Sequence, residues 1–163
     1  MKKLLLTIAL VLLSGVTMAQ NVVTTINTEK WYTLECRSSA AHSTTRFIGV
    51  TDAGLINGQS SKAAYITFEA ADTENGYYIK VGEKYLNHNG SNMSASTEKK
   101  TVWTFGVGGK DNVANVVTFT IGNNKYLNNN GSDCNDGTCT YLKANTHNGG
   151  PGSGNACSLW EMR

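Results

Sequence analysis

The octets KYLNHNGS (84–91) and KYLNNNGS (125–132) begin 41 positions apart and differ at one letter, His88 against Asn129. So long a match at an offset of this size marks a chain assembled from copies of one structural unit. Each octet also has a local logic. Lys-Tyr-Leu-Asn reads as a short strand, and the Asn-Gly that follows tolerates the positive φ of a tight turn. A chain written this way must stack short strands joined by sharp turns.

Alternation recurs along the whole chain. WYTLE (31–35), YYIKV (77–81) and VVTFTI (116–121) read as opening strands. RFIGV (46–50) stands in the first unit where KYLN stands in the other two, at 84–87 and 125–128. A short third strand is expected near Leu55-Ile56, Met93 and Tyr141-Leu142. AYITF (64–68), TVWTF (101–105) and SLWEM (158–162) then close the units. Aligned on their centres, they set Ile66, Trp103 and Trp160 in equivalent positions. Phe68, Phe105 and Met162 follow two residues on, hence on the same face of a strand. No window carries the apolar spacing of a long amphipathic helix. The expectation is an all-β domain of three four-stranded repeats, about 31–70, 76–107 and 116–163, after a short lead at 20–30.

The first 19 residues stand apart. Lys2 and Lys3 precede an apolar run from Leu4 to about Val16, and small residues lead to Ala19. That is the pattern of a secretory signal peptide, too short and wrongly flanked for a membrane span. Cleavage after Ala19 would leave 144 of the 163 residues, one ordinary domain, secreted or periplasmic and with no membrane insertion. Without Lys2 and Lys3, the 14 basic residues fall to 12 and balance the 12 acidic ones. A chain with no basic excess is a poor partner for nucleic acid or anionic lipid. Four cysteines in an exported chain favour disulfides and allow three pairings. Cys134 and Cys139 flank Asp136-Gly137, a tight-turn signal that could bring their sulfurs together.

Three four-strand units, each closing on a large apolar position, resemble a β-trefoil. More narrowly, YYIKVGEKYLNHNG (77–90) followed by VWTF (102–105) is similar to the ricin-type trefoil domains of exported bacterial proteins, over about residues 31–163. The resemblance implies a closed barrel whose first and last strands are antiparallel neighbours. Cys36, ending the first, and Cys157, beginning the last, would then lie side by side, and a disulfide there would staple the seam. It also implies a lectin-like role, since such trefoils commonly bind sugars at one shallow site per unit. In that family a sugar-bonding acid follows the aromatic-aliphatic pair of the second strand, and the matching positions here are Gly49, Asn87 and Asn128. Planar amides bond vicinal hydroxyls in pairs, while an aromatic face covers the apolar side of the ring. The expected carbohydrate-binding residues are thus Asn87, His88, Asn89, Asn128, Asn130 and Tyr141, the last as the stacking platform, with Asn129 adding a further polar group. The chain departs from the family at its Gln-x-Trp closing motif. Ala64, Thr101 and Ser158 stand where a Gln would tie that fold together.

Catalytic chemistry finds little to work with. His42, His88 and His147 fall in expected loops of different units, none with a neighbour at metal-ligand spacing. Neither a phosphate-cradling glycine loop nor a nucleophile elbow is present. DCNDG (133–137) lacks the remaining ligands of a calcium loop. The expectation is a binding module without catalysis, metal or cofactor, directed at a glycan or polysaccharide. An alternative rests on the third unit, which runs 57 residues from Trp103 to Trp160 against 37 from Ile66 to Trp103. The excess falls in the expected disulfide hairpin at 133–139 and in the glycine-rich 148–155 stretch. The hairpin could serve as a preshaped loop that engages another protein, as an exported protease inhibitor does.

Overall fold

A computed structural model of the chain describes residues 21–37, 47–122, 124–146, 149–150 and 156–163. The expected signal peptide, His42, His147 and most of the glycine-rich stretch lie outside the described residues. The elements described for these residues are strands: β1 (Trp31–Tyr32), β2 (Leu34–Cys36), β3 (Phe47–Val50), β4 (Ile56–Ser60), β5 (Ile66–Ala70), β6 (Gly76–Val81) and β7 (Lys84–His88). The second half adds β8 (Met93–Ser96), β9 (Trp103–Val107), β10 (Val117–Ile121), β11 (Lys125–Asn128), β12 (Cys139–Thr140), β13 (Lys143–Asn145) and β14 (Trp160–Met162). Each strand expected from alternation is found within a few residues. Two features are new. β12 lies parallel to β4, with Cys139 opposite Ile56, and the first strand is split at Thr33.

All 14 strands belong to one mixed sheet. Its ladder runs β1-β5-β6-β9-β10-β14-β2-β3-β4-β12, with β7-β8 hung on β6 and β11-β13 on β10. The path is open. The closed barrel expected from the sequence is not present as a continuous ladder, because the break at Thr33 leaves β1 bonded to β5 and β2 bonded to β14. Thr33 itself exchanges both backbone hydrogen bonds with Arg163, at 2.7 and 3.1 Å.

The core follows from strand parity. In β5, Ile66 and Phe68 are buried while Thr67 and Glu69 are only half covered. Phe68 stacks on Phe119 with ring centroids 5.3 Å apart and planes 13° off parallel. Tyr32 and Tyr77 lean on Phe68, and Phe105 leans on Phe119. Removing Phe68 to Ala would open the centre of this cluster at a cost of about 3–5 kcal/mol.

The closing strands explain the octets. Trp103 and Trp160 are fully buried, so each indole N–H needs a partner. Trp103 Nε1 donates to Leu86 O and Trp160 Nε1 to Leu127 O, both at 3.0 Å. Leu86 and Leu127 hold the same octet position. Gly90 and Gly131, the seventh octet letters, sit at φ of 94° and 108°, which side chains rarely adopt. The octet therefore recurs because one carbonyl and one left-handed turn recur.

The cysteines divide. Cys134 and Cys139 are joined, with Cα atoms 5.4 Å apart. The expected Cys36–Cys157 bond is not formed. Register is the reason: β2 and β14 pair as expected, but Trp160 lies opposite Cys36. Cys157 sits three residues earlier, and the Cys36 thiol instead points to Ala156 O at 3.6 Å.

Candidate functional site

Two of the expected sugar-binding residues face inward. Asn87 is 2% exposed and saturated by its own chain. Its Nδ2 donates to Ser96 Oγ at 3.0 Å and Glu98 O at 2.9 Å, and its Oδ1 accepts from Lys100 N at 3.0 Å. Asn128 is fully buried, its Nδ2 donating to Ser158 Oγ and its Oδ1 accepting from Asn130 N. Both amides bracket the end of a second strand to the segment that leads into a closing strand. Thr101 serves similarly, its hydroxyl accepting from His88 N at 2.7 Å and donating to His88 O. Thr101 and Ser158, the residues in the place of the absent Gln, thus tie the ends of β7 and β11 to the segments before β9 and β14.

The other expected residues are more open. His88 is half-buried, and its Nδ1 accepts from Gly90 N, which places the ring proton on Nε2. That Nε2 is buried and has no partner among the described residues. Burial, and then the nearby Lys125 charge, hold the imidazole below its ordinary value of 6.5, while Asp133 opposes them. Asn89 is exposed, and its Oδ1 caps the turn by accepting from Ser91 N and Asn92 N. Asn129, the substituted letter, is fully buried and donates from Nδ2 to Gly58 O.

Asn130 and Tyr141 each lie two residues beyond the last pair of the β11–β13 ladder, Asn128 with Lys143. The β11–β13 ladder pairs Tyr126 with Asn145, Leu127 with Ala144 and Asn128 with Lys143. Beyond that pair the ladder does not continue: Asn129 N donates to Cys157 O and Asp133 N to Leu142 O. The Lys143 ammonium lies 3.3 Å from where a side chain on Gly131 would begin. Tyr141 is 47% exposed and adopts a φ of 51°. The other non-glycine residues with positive φ among those described are Asn75, Asn112 and Asn115. Asparagine tolerates that region; an aromatic residue there is an outlier that the surrounding structure must enforce.

The surrounding structure is the insert. Asp133 N donates to Leu142 O, and Thr138 Oγ1 accepts from Ala95 N while donating to Asp136 Oδ1. That last bond holds the Asp136 carboxyl below its ordinary value. Asn135 Nδ2 donates to Asn92 Oδ1 at 2.7 Å. The disulfide hairpin is therefore strapped to β4 and β8, and Tyr141 leaves it on a fixed backbone.

A second surface escaped the sequence reading. Trp31 and Tyr65 are 51% and 66% exposed, with ring centroids 4.3 Å apart and planes at 58°. Tyr32 and Ile66, their neighbours in the chain, point into the core, so parity alone signalled that Trp31 and Tyr65 face out. Their contact needed the β1–β5 register, which sets Trp31 opposite Thr67. Farther along this outer face, Glu69 binds the Tyr85 hydroxyl and the Lys99 ammonium, which also lies 5.6 Å from the Tyr78 ring centroid. Those two hydrogen bonds, Lys99 first, pull the Glu69 carboxyl down, while the bond to Glu69, and then burial, push the Tyr85 phenol up.

Comparison with protein-family models, with curated proteins and with solved structures finds no match to this chain.

Proposed function

We infer that the chain is an exported, non-catalytic β-trefoil of the ricin type that binds carbohydrate at the mouth of the β11–β13 hairpin. The trefoil reading takes β1 and β2 as one strand kinked at Thr33. A ring of six strands then follows: β1/β2, β5, β6, β9, β10 and β14. The Thr33–Arg163 bonds and the Arg163–Glu35 ion pair at 2.8 Å support closure at that seam. β3-β4, β7-β8 and β11-β13 become the three hairpins. The matching Trp103–Leu86 and Trp160–Leu127 bonds support the repetition.

The observation that carries the function is Tyr141. A tyrosine held at positive φ stores roughly 1–3 kcal/mol of strain. Its ring is half out in water, so core packing alone does not account for that cost. Strain of this kind is at home where a side chain must be presented rather than buried. Beyond the same end of the ladder, Asn130 offers an amide that can donate and accept, and Lys143 adds a cationic donor. A pyranose laid on the Tyr141 ring would offer its hydroxyls to groups of this kind.

The test is a broad glycan array probed with the oxidised mature protein, residues 20–163. A positive signal that drops at least tenfold in Tyr141→Ala and in Asn130→Ala is expected, equivalent to about 1.4 kcal/mol or more. A silent array from folded protein would refute carbohydrate binding and shift the weight to protein recognition. Protease inhibition would then be assayed first, with the exposed Asn135–Gly137 tip as the contact.

A further inference from the structure

We propose that the outer face carrying Trp31, Tyr65 and Thr67 is a second saccharide platform, built on different strands from the Tyr141 mouth and independent of it. Neither Trp31 nor Tyr65 belongs to the buried core. Their planes, 58° apart, form an angled wall rather than a flat stack. Thr67 stands on the same face, opposite Trp31 on one side and Lys80 on the other. The Lys80 ammonium is paired with the Glu83 carboxylate at 3.5 Å, and Glu83 is almost fully exposed.

The ground beside Tyr65 is open. Gly82 N donates to Tyr65 O, which places the β6–β7 turn beside the Tyr65 backbone. Nothing lies within 4 Å of where a side chain on Gly82 would begin. This surface sets two exposed aromatic rings beside an uncovered turn, with hydroxyl, ammonium and carboxylate groups on the same strands.

That chemistry fits a sugar ring. Its C–H face covers an aromatic ring, and its vicinal hydroxyls need donors and acceptors side by side, as the Thr67 hydroxyl and the Lys80–Glu83 pair supply. Size argues against a folded protein as occupant. Stable protein interfaces bury about 1,200–2,000 Å² in total, and two half-exposed rings among polar groups fall far short as an anchor. Charge argues against nucleic acid, because the Lys80 ammonium is already matched by a carboxylate. The occupant is a pyranose unit of a neutral glycan chain.

The molecule supplies its own reporter. Of three tryptophans, Trp103 and Trp160 are fully buried and Trp31 is exposed, so acrylamide quenching of tryptophan fluorescence reads Trp31. The probes are hexaoses of β1,4-linked glucose, α1,4-linked glucose, β1,4-linked xylose and β1,4-linked N-acetylglucosamine. At least one is expected to protect Trp31 from quenching, with an apparent Kd that rises at least tenfold in Tyr65→Ala. Tyr65 is 66% exposed, so that variant keeps its fold, checked by circular dichroism, and its reporter. Val107→Ala, another exposed apolar position, should leave the affinity unchanged. Failure of every hexaose to protect Trp31 overturns the platform, as does protection indifferent to Tyr65→Ala. An array signal that depends on Tyr141 beside an unresponsive Trp31 also overturns the platform and leaves the proposed function standing. Protection of Trp31 that survives Tyr141→Ala establishes the platform on its own.

Discussion

Replacing Asn87 with Ala separates folding from ligand binding at the octets. The side chain is 2% exposed and makes three hydrogen bonds, at 3.0, 2.9 and 3.0 Å. At about 1 kcal/mol net for each bond, the loss is about 3 kcal/mol. Relief is partial: Ser96 Oγ keeps its contacts with Glu98, but Lys100 N loses its acceptor. For a domain of this size about 3 kcal/mol lowers Tm by roughly 6–12 °C. Urea unfolding of the oxidised protein should show a lower midpoint at unchanged m, the mark of lost stability rather than an altered unfolded state. Asn128→Ala should behave alike. Asn89→Ala, at an exposed turn, should cost about 1 kcal/mol or less. If Asn87→Ala keeps its stability within about 0.5 kcal/mol while a bound glycan is lost, the bracketing role is refuted and the amide belongs to a ligand.

Trp103→Phe and Trp160→Phe should each cost about 2–4 kcal/mol, since each strands a buried leucine carbonyl and leaves a gap; urea midpoints that move for one and not the other would break the equivalence of the repeats. Joint Cys134→Ser and Cys139→Ser substitution should cost roughly 2 kcal/mol, the chain-entropy value for so short a loop, read from the same unfolding curves. Acid should destabilise the fold in two stages. His88, held neutral mainly by burial, contributes stability that is complete above its ordinary value of 6.5 and lost as pH falls through its depressed one. Glu69, held ionised by Lys99 and Tyr85, does the same below its ordinary 4.5. Thermal melts across pH 3–8 should therefore flatten in the upper window for His88→Gln and in the lower for Glu69→Gln, and unchanged profiles would contradict both assignments.

The strands were legible because alternation is a local signal: Ile66-Thr67-Phe68 announces its inward face without help from the rest of the chain. The brackets were not. Whether Asn87 faces water depends on Ser96, Glu98 and Lys100, and Asn128 depends on Ser158, 30 residues away. In sequence, an asparagine before an Asn-Gly turn looks the same whether it holds the fold or a ligand. Register was equally hidden, so Cys36 could be placed on the correct strand pair yet opposite the wrong residue. The break at Thr33 gave no warning at all. A physical asymmetry follows. Where the two octets make the same bonds, recurring letters such as Leu86 and Leu127, Asn87 and Asn128, or Gly90 and Gly131 answer chiefly to the fold. Exposed aromatic rings answer to no such need. Trp31, Tyr65 and Tyr141 each occur in a single unit and contribute little to the core. They are therefore the side chains whose exposure the packing of the core leaves unexplained.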